Sequence, residues 1–472
     1  MALFLLLDRL SVLVVVIIFA ILFVSPSFSS TDIRILKAER RIDLTSSIVR
    51  AFHTLQVENI GDSHASEILL AFPPDQAKHM ADLQASTSQG KKKKKNYIHL
   101  DVNPIDSSQT PNGAKLFSVS LNHNPLKTGE TKTLELLVIL THVLEPFPAE
   151  ISQSESQLVH YRDSAILLSP YPVKEQMTYI KTPSKKVESY SMVNPTNRVG
   201  EELRYGSYAD SAPYSYTPII VHFENNHPFA VIEELVRVIE ISHWGNIQVK
   251  EQYRLLHGGA RHKGVFSRLD YQSRQSSSGV SSFKTLLAKL PPRVHSVYYR
   301  DDIGNISSSH LRLDSKKSEL QIEPRYPLLG GWKTSFVIGY SLPLESSLFE
   351  MSDGRHCLKF NFGSPFLETV VDKLTIKVVL PEGSKEPTAS VSFPVEQHHE
   401  TSFSYLDIVG RPTVVLKKEN VVPENNTPFQ VYYSFSPFFM FVEPLMLVSV
   451  FLLFFITVIA YLHTDLSIRK AA

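Results

Sequence analysis

Apolar and polar residues alternate with a period of two over many short stretches, as in Ile98-His99-Leu100-Asp101-Val102 and Leu374-Thr375-Ile376-Lys377-Val378. That period sends successive side chains to opposite faces of a strand, so these stretches read as half-buried β-strands. Leu134 to Leu140 is a continuous apolar run suited to a strand covered on both faces. Thr413 to Leu416 and Val431 to Phe435 add β-branched and aromatic stretches. Prolines, 29 in all and paired at Pro73-Pro74 and Pro291-Pro292, punctuate the runs. Helical periodicity is scarce, and the best short helix candidates are Pro74 to Ser86 and Ser282 to Leu290. The pattern predicts a mainly β protein built from two tandem β-sandwich-like domains.

Two longer apolar runs depart from this pattern. Leu10 to Val24, behind Arg9 and before the small-x-small site Ser27-Phe28-Ser29, reads as a cleaved signal peptide over 1–29. Pro444 to Leu462 carries no charge, and at ~1.5 Å per residue it matches the hydrocarbon thickness of a bilayer. Glu419, Glu424 and Glu443 precede this run with no Lys or Arg after Lys418, whereas Arg469 and Lys470 follow it. That asymmetry places the tail in the cytosol and the bulk of the chain in the lumen. The expected organisation is a luminal domain over 30–215, a second over 216–436, a transmembrane helix over 438–462 and a cytosolic tail over 463–472.

A faint internal repeat accompanies the two-domain reading. Ile42-Asp43-Leu44 has a counterpart in Ile239-Glu240-Ile241, and Lys132-Thr133 before one apolar run matches Lys333-Thr334 before another. Tyr179-Ile180-Lys181 echoes Ile376-Lys377-Val378. All three pairs keep the same order at an offset of roughly 200 residues, the signature of a duplicated unit. The seam is expected in the Tyr-, Ser- and Pro-rich stretch from Ser207 to Pro218.

Charge and cysteine content narrow the function classes. With 48 basic and 47 acidic residues the formal charge is +1, which gives no electrostatic footprint for nucleic acid. Cys357 is the only cysteine, so stability comes from packing without disulfides, and the thiol reads as a small buried hydrophobe. Lys91 to Lys95 reads as a solvated hairpin tip. No Asp-x-Asp, His-Glu-x-x-His, Gly-x-Ser-x-Gly, Gly-x-Gly-x-x-Gly or P-loop occurs, so no catalytic residues, metal ligands or cofactor are expected. Asn305-Ile306-Ser307 and Asn425-Asn426-Thr427 are N-glycosylation sequons, while Pro195 blocks Asn194-Pro195-Thr196. Arg469-Lys470 resembles a dilysine retrieval signal for the endoplasmic reticulum, or equally serves as positive-inside charge.

Several long strings resemble signatures of the ribophorin I family, subunit 1 of the oligosaccharyltransferase complex. They are Tyr298-Tyr299-Arg300-Asp301-Asp302-Ile303-Gly304-Asn305-Ile306-Ser307, Pro324-Arg325-Tyr326-Pro327-Leu328-Leu329-Gly330-Gly331-Trp332-Lys333 and Leu374 to Gly383. Tyr405 to Pro412 and Glu443-Pro444-Leu445 add to them. The resemblance implies a non-catalytic subunit of the machine that moves a preassembled glycan from dolichyl diphosphate to Asn-x-Ser/Thr of nascent chains. It also implies partnership with a multi-span catalytic subunit, contact with nascent polypeptides, and residence in the endoplasmic reticulum membrane. The short tail is similar to that of plant and fungal members. An independent luminal chaperone or cargo escort is the alternative.

Overall fold

The computed structural model describes residues 33–89, 96–105, 110–121, 124–273, 281–306, 309–314, 317–404 and 407–464. The signal peptide, Lys91 to Lys95, Arg469 and Lys470 lie outside the described residues. What is described is two β-rich halves followed by one apolar helix, Val442–His463.

Each half is built on a large mixed sheet whose centre is a parallel pair. In the first half Ile33–Asp43 pairs in parallel with Val173–Lys181 and antiparallel with Val49–Asn59. In the second, Ala230–Ser242 pairs in parallel with Val370–Val379 and antiparallel with Asn246–His257. The sheets extend by matching neighbours. Thr131–Leu140 lies beside Val49–Asn59 as Lys333–Pro343 lies beside Asn246–His257, and Glu202–Ser211 corresponds to Arg411–Val421 on the other flank. The smaller sheets repeat too. The order Val187–Tyr190, Pro218–Glu224, Leu158–Ser164, Leu144–Pro146 recurs as Lys385–Ser390, Pro428–Ser434, His356–Asn361, Leu348–Glu350. The duplication suggested by three short strings thus extends through all the major sheets.

Pairing also moves the seam. Pro218–Glu224 bonds to Leu158–Ser164 and Val187–Tyr190, so the first half runs on to Glu224, past the boundary expected at 215/216. Two expected helices are corrected as well. Pro74–Lys78 forms one helical turn, but Met80–Gln89 is a strand held between Thr131–Leu140 and Asn96–Leu100. Ser282 to Leu290 contains two strands, and Leu286–Leu290 buries alternate residues against Ser318–Ile322. In both cases sheet pairing overrides the helix preference of Ala, Leu, Gln and Lys. Leu374 to Val378 alternates in burial as expected. Leu134 to Leu140 alternates at first and becomes buried on both faces only over Val138, Ile139 and Leu140. The second face exists there because Ile139 packs with Ile48, Val370 and Val422 in a small cluster between the halves.

A buried arginine sits at the same place in each half. Arg40 pairs with Asp163 at 2.7 Å and donates to the Ser164 and Ile166 carbonyls at 2.9 and 3.3 Å. Arg237 pairs with Glu251 at 2.7 Å and donates to the carbonyls of Asn361, Phe362 and Gly363 at 2.9, 3.0 and 2.8 Å. Both arginines lie on the innermost strand of their half, and both tie it to the chain leaving the matching strand of the second sheet. The counter-ion differs in position, and a tyrosine hydroxyl donates to it in each case: Tyr161 to Asp163, Tyr253 to Glu251. Buried carbonyls and charges are costly unless bonded, so each guanidinium satisfies several groups at once.

Two buried histidines, His53 and His257, and the half-buried His243 give the fold a pH dependence. Burial, reinforced by Arg40, holds the His53 imidazole well below its ordinary value. His257 is brought to about 4 by burial; its Nδ1 accepts from the Gly259 N–H and its other nitrogen faces the Ser281 hydroxyl. His243, stacked on Phe435, falls to about 4 through burial and its neighbour His356. Each is neutral in the fold and protonated more readily when unfolded, so the unfolded state binds more protons below about pH 6.5. Stability is therefore expected to be full above that pH and to fall progressively toward pH 4, which thermal melts between pH 7.5 and 4.5 would reveal. A melting temperature that stays flat or rises on acidification would refute this assignment.

Candidate functional site

The edge strand His295–Asp301 ends in a loop that carries the first sequon. The Asp301 carboxylate accepts from the Ile303 and Gly304 N–H groups at 3.0 and 2.9 Å. Arg325 clamps the same carboxylate through Nε and through Nη2 at 3.0 Å, and reaches the Gly304 carbonyl at 3.3 Å. Bonding to Arg325, with the Gly304 and Ile303 N–H groups, holds the Asp301 carboxyl at about 2. A carboxyl with a depressed value contributes stability above its unfolded value, so the clamp is intact at neutral pH and opens only as pH falls toward 2. The chain then turns back, with the Ile306 N–H donating to the Tyr299 carbonyl at 3.1 Å. Ile306 points inward and Asn305 outward, exposed at the sheet edge.

The second sequon is placed differently. Asn425 is only 3% exposed, in the short turn Pro423–Asn425. Its side-chain oxygen accepts from the Val422 N–H at 3.2 Å, and its own N–H donates to the Val422 carbonyl at 3.0 Å. At 3% exposure the side chain leaves little room for a glycan unless the turn opens. The sequon pattern alone marks Asn425 as a candidate acceptor, and nothing in the local sequence signals its burial.

The same turn belongs to the junction between the halves. Arg50 donates to Glu424 at 2.6 Å and to both oxygens of Glu368 at 3.1 and 3.2 Å. Thr141 donates to Asn420 at 2.7 Å, and His142 meets Asp372 at 2.8 Å. On the other side Gln157 accepts from the Ala260 N–H at 2.9 Å, and the Arg261 N–H donates to the Ala149 carbonyl at 2.8 Å. A groove of about 560 Å³ opens at this junction, lined by Arg50, His227, Leu287, Leu367 and Glu368 among others. Its mixture of apolar and paired charged groups suits a peptide better than a small apolar ligand.

At the start of the membrane helix, Arg411 joins three carboxylates: Asp407 at 3.0 Å, Glu240 at 2.6 Å and Glu443 at 3.0 Å. Glu443, at the start of the helix, thus binds its own chain. Glu382, Asp407 and Glu443 cluster closely enough to hold a cation, but Arg411 already bridges two of them. Cys357 is buried, as expected, and burial pushes its thiol up. In the helix, Ser449 and Thr457 return their hydroxyls to the Met446 and Leu453 carbonyls at 2.7 Å, which satisfies them without a partner in lipid. It is the one helix among the described residues that is long and apolar enough to cross a membrane, and at ~1.5 Å per residue its 22 residues suffice.

Comparison with known proteins extends these observations. The ribophorin I family model matches residues 33–462. Dolichyl-diphosphooligosaccharide–protein glycosyltransferase subunit 1B of Oryza sativa subsp. japonica is 63% identical over 448 residues, covering 95% of this chain and 94% of its own. Subunit 1B of Arabidopsis thaliana is 61% identical over 455 residues, covering 96% and 98%. Subunit 1 of Caenorhabditis elegans is 35% identical over 457 residues, covering 96% of this chain and 76% of its own.

Proposed function

The chain belongs to the ribophorin I family, and from that premise we propose that it is a membrane-anchored, non-catalytic subunit of the oligosaccharyltransferase complex of the endoplasmic reticulum. The complex transfers a preassembled glycan from dolichyl diphosphate to Asn in Asn-x-Ser/Thr. The observation that carries this reading is the match along 33–462, which takes in both β-rich halves and the apolar helix. The body lies in the lumen and the tail in the cytosol, as the flanking charges favour.

Its work is to hold acceptor polypeptide beside the multi-span catalytic subunit. One helix tethers a body of some 400 residues, which raises the local concentration of its binding surfaces there. The main sheets end in strands paired on one side among the described residues, Asn96–Leu100 and Glu396–Ser402, and such edges accept extended chains through backbone bonds. Sequon occupancy across many glycoproteins, measured with the catalytic subunit's level tracked, tests this role. Loss of occupancy at unchanged catalytic subunit is expected on depletion of the chain. Unchanged occupancy, or occupancy that merely follows the catalytic subunit's disappearance, would refute acceptor handling.

Asn305 is itself an acceptor on this reading. Asn305→Gln is expected to remove one glycan's mass in a gel-mobility assay that includes glycosidase treatment. Asn425→Gln is expected to leave the glycan count unchanged, and a glycan lost with Asn425 instead would contradict the burial argument.

A further inference from the structure

The two halves are stacked so that corresponding ends have different neighbours. In the first half the hairpin between Ile33–Asp43 and Val49–Asn59 meets the second half, with Ile48 fully buried against Val370 and Val422. Among the described residues, no third unit lies beyond the corresponding hairpin of the second half, between Ala230–Ser242 and Asn246–His257. Its tip carries Trp244, 67% exposed. Beside Trp244, His243 stacks on Phe435 with ring centroids 4.2 Å apart, just before the turn Pro437–Phe441 that leads into the helix. The strand behind this tip supplies Glu240 to Arg411, and Arg411 binds Glu443 in the helix's first turn.

A second hairpin tip arrives at the same level. Between Glu396–Ser402 and Arg411–Val421 the chain carries Phe403, 71% exposed, with Ile408 and Val409 each more than half exposed. Glu382 accepts from the Ile408 and Val409 N–H groups, and its carboxylate lies within 4.8 Å of those of Asp407 and Glu443. Gly383 completes the lock. Its φ is +79°, and a Cβ there would stand 2.3 Å from the ring of Phe439 in the turn before the helix. The corresponding turn of the first half, between Thr196–Val199 and Glu202–Ser211, is only two residues long. The longer tip is therefore a feature of the second half alone. Asp407 is tied inward to Arg411 and to the Ser404 N–H, while Phe403, Ile408 and Val409 face out.

We infer that the two tips form a second membrane contact, with Trp244, Phe403, Ile408 and Val409 entering the interfacial layer of the bilayer beside Phe438 and Phe441. The inference rests on the membrane-anchored reading of the helix. Continuity with the span selects lipid as the occupant: Asp407 of the second tip clusters with Glu443, the second residue of the helix, and the strand behind the first tip reaches Glu443 through Arg411. Aromatic residues favour this layer, where an apolar body and a polar edge are both satisfied. The contact would fix the tilt of the luminal body against the bilayer.

Trp244 and Trp332 are the only tryptophans, so the protein carries its own probe. Full-length Trp332→Phe protein in phosphatidylcholine liposomes is expected to emit at shorter wavelength than exposed tryptophan. Lipid brominated near the headgroup end of its chains should quench it by about twofold, as an interfacial indole requires. The companion Trp244→Phe protein should show no such quenching. An environment-sensitive dye on Ile408→Cys gives the same readout without touching Trp332, because Cys357 is buried. Water-like emission and no quenching, from protein that still floats with the liposomes, would overturn the inference and assign this surface to a protein partner. Failure to float would overturn the anchored reading, and the inference with it.

Discussion

Arg237→Ala is expected to unfold the second half, at a cost of about 3–5 kcal/mol, the range for breaking a buried ion pair by removing one partner. Glu251 is completely buried and would keep its charge with only the Tyr253 and Tyr340 hydroxyls as donors. The carbonyls of Asn361, Phe362 and Gly363 would lose their donor in the same step. Burial opposes charge on Arg237, but Glu251 and the two tyrosines outweigh it and raise the guanidinium above its ordinary value. The pair is thus coupled, and Arg237→Met with Glu251→Gln should cost less than the sum of the single changes by about 1–3 kcal/mol. Denaturant titration of the full chain in detergent, followed by tryptophan fluorescence, measures both numbers. An Arg237→Ala protein within about 0.5 kcal/mol of the parent would show that the buried pair does not hold the half together.

Gly330→Ala should cost about 3 kcal/mol, the upper end of overpacking penalties. A Cβ at Gly330 would lie 1.7 Å from the Ala260 carbonyl oxygen and 2.6 Å from its carbon, and backbone cannot rotate out of the way as a side chain can. The crossing is pinned on every side. The His262 N–H donates to the Gly330 carbonyl at 2.9 Å, and the Gly331 N–H donates to His257 at 2.8 Å. Ala260 and Arg261 in turn bind Gln157 and Ala149 of the first half, so the displacement would reach the junction. Gly354→Ala is the control: its φ is +78° and nothing lies within 4 Å, so only the backbone term of about 1 kcal/mol applies. Equal melting temperatures for the two variants would remove the steric argument.

Much of this architecture was legible in the residues, and the failures have physical causes. Period-two alternation marked the central strands because one face of each is buried and the other is not. Pro74 to Ser86 misled because its Ala, Leu and Gln favour helix in isolation, and the decisive bonds come from Thr131–Leu140, more than forty residues away. The seam misled because Tyr-, Ser- and Pro-rich composition resembles a linker, whereas Glu202–Ser211 and Pro218–Glu224 are strands of two different sheets. The buried arginines did carry a signal. Arg40 stands in the inward register between Ala38 and Ile42, and Arg237 between Leu235 and Ile239, where a charge requires an explanation. The sequons show the opposite limit: Asn305 and Asn425 match one pattern, and only tertiary packing separates an exposed edge from a buried turn.

The central claim is membership of a glycan-transferring membrane complex, and gentle extraction tests it most directly. Membranes solubilised in mild detergent and resolved by affinity capture on this chain should yield a multi-span glycosyltransferase subunit in fixed one-to-one proportion. The captured material should transfer glycan from a dolichyl diphosphate donor to an Asn-x-Thr peptide. Migration of the chain alone, with the transfer activity entirely in the uncaptured fraction, would contradict the account.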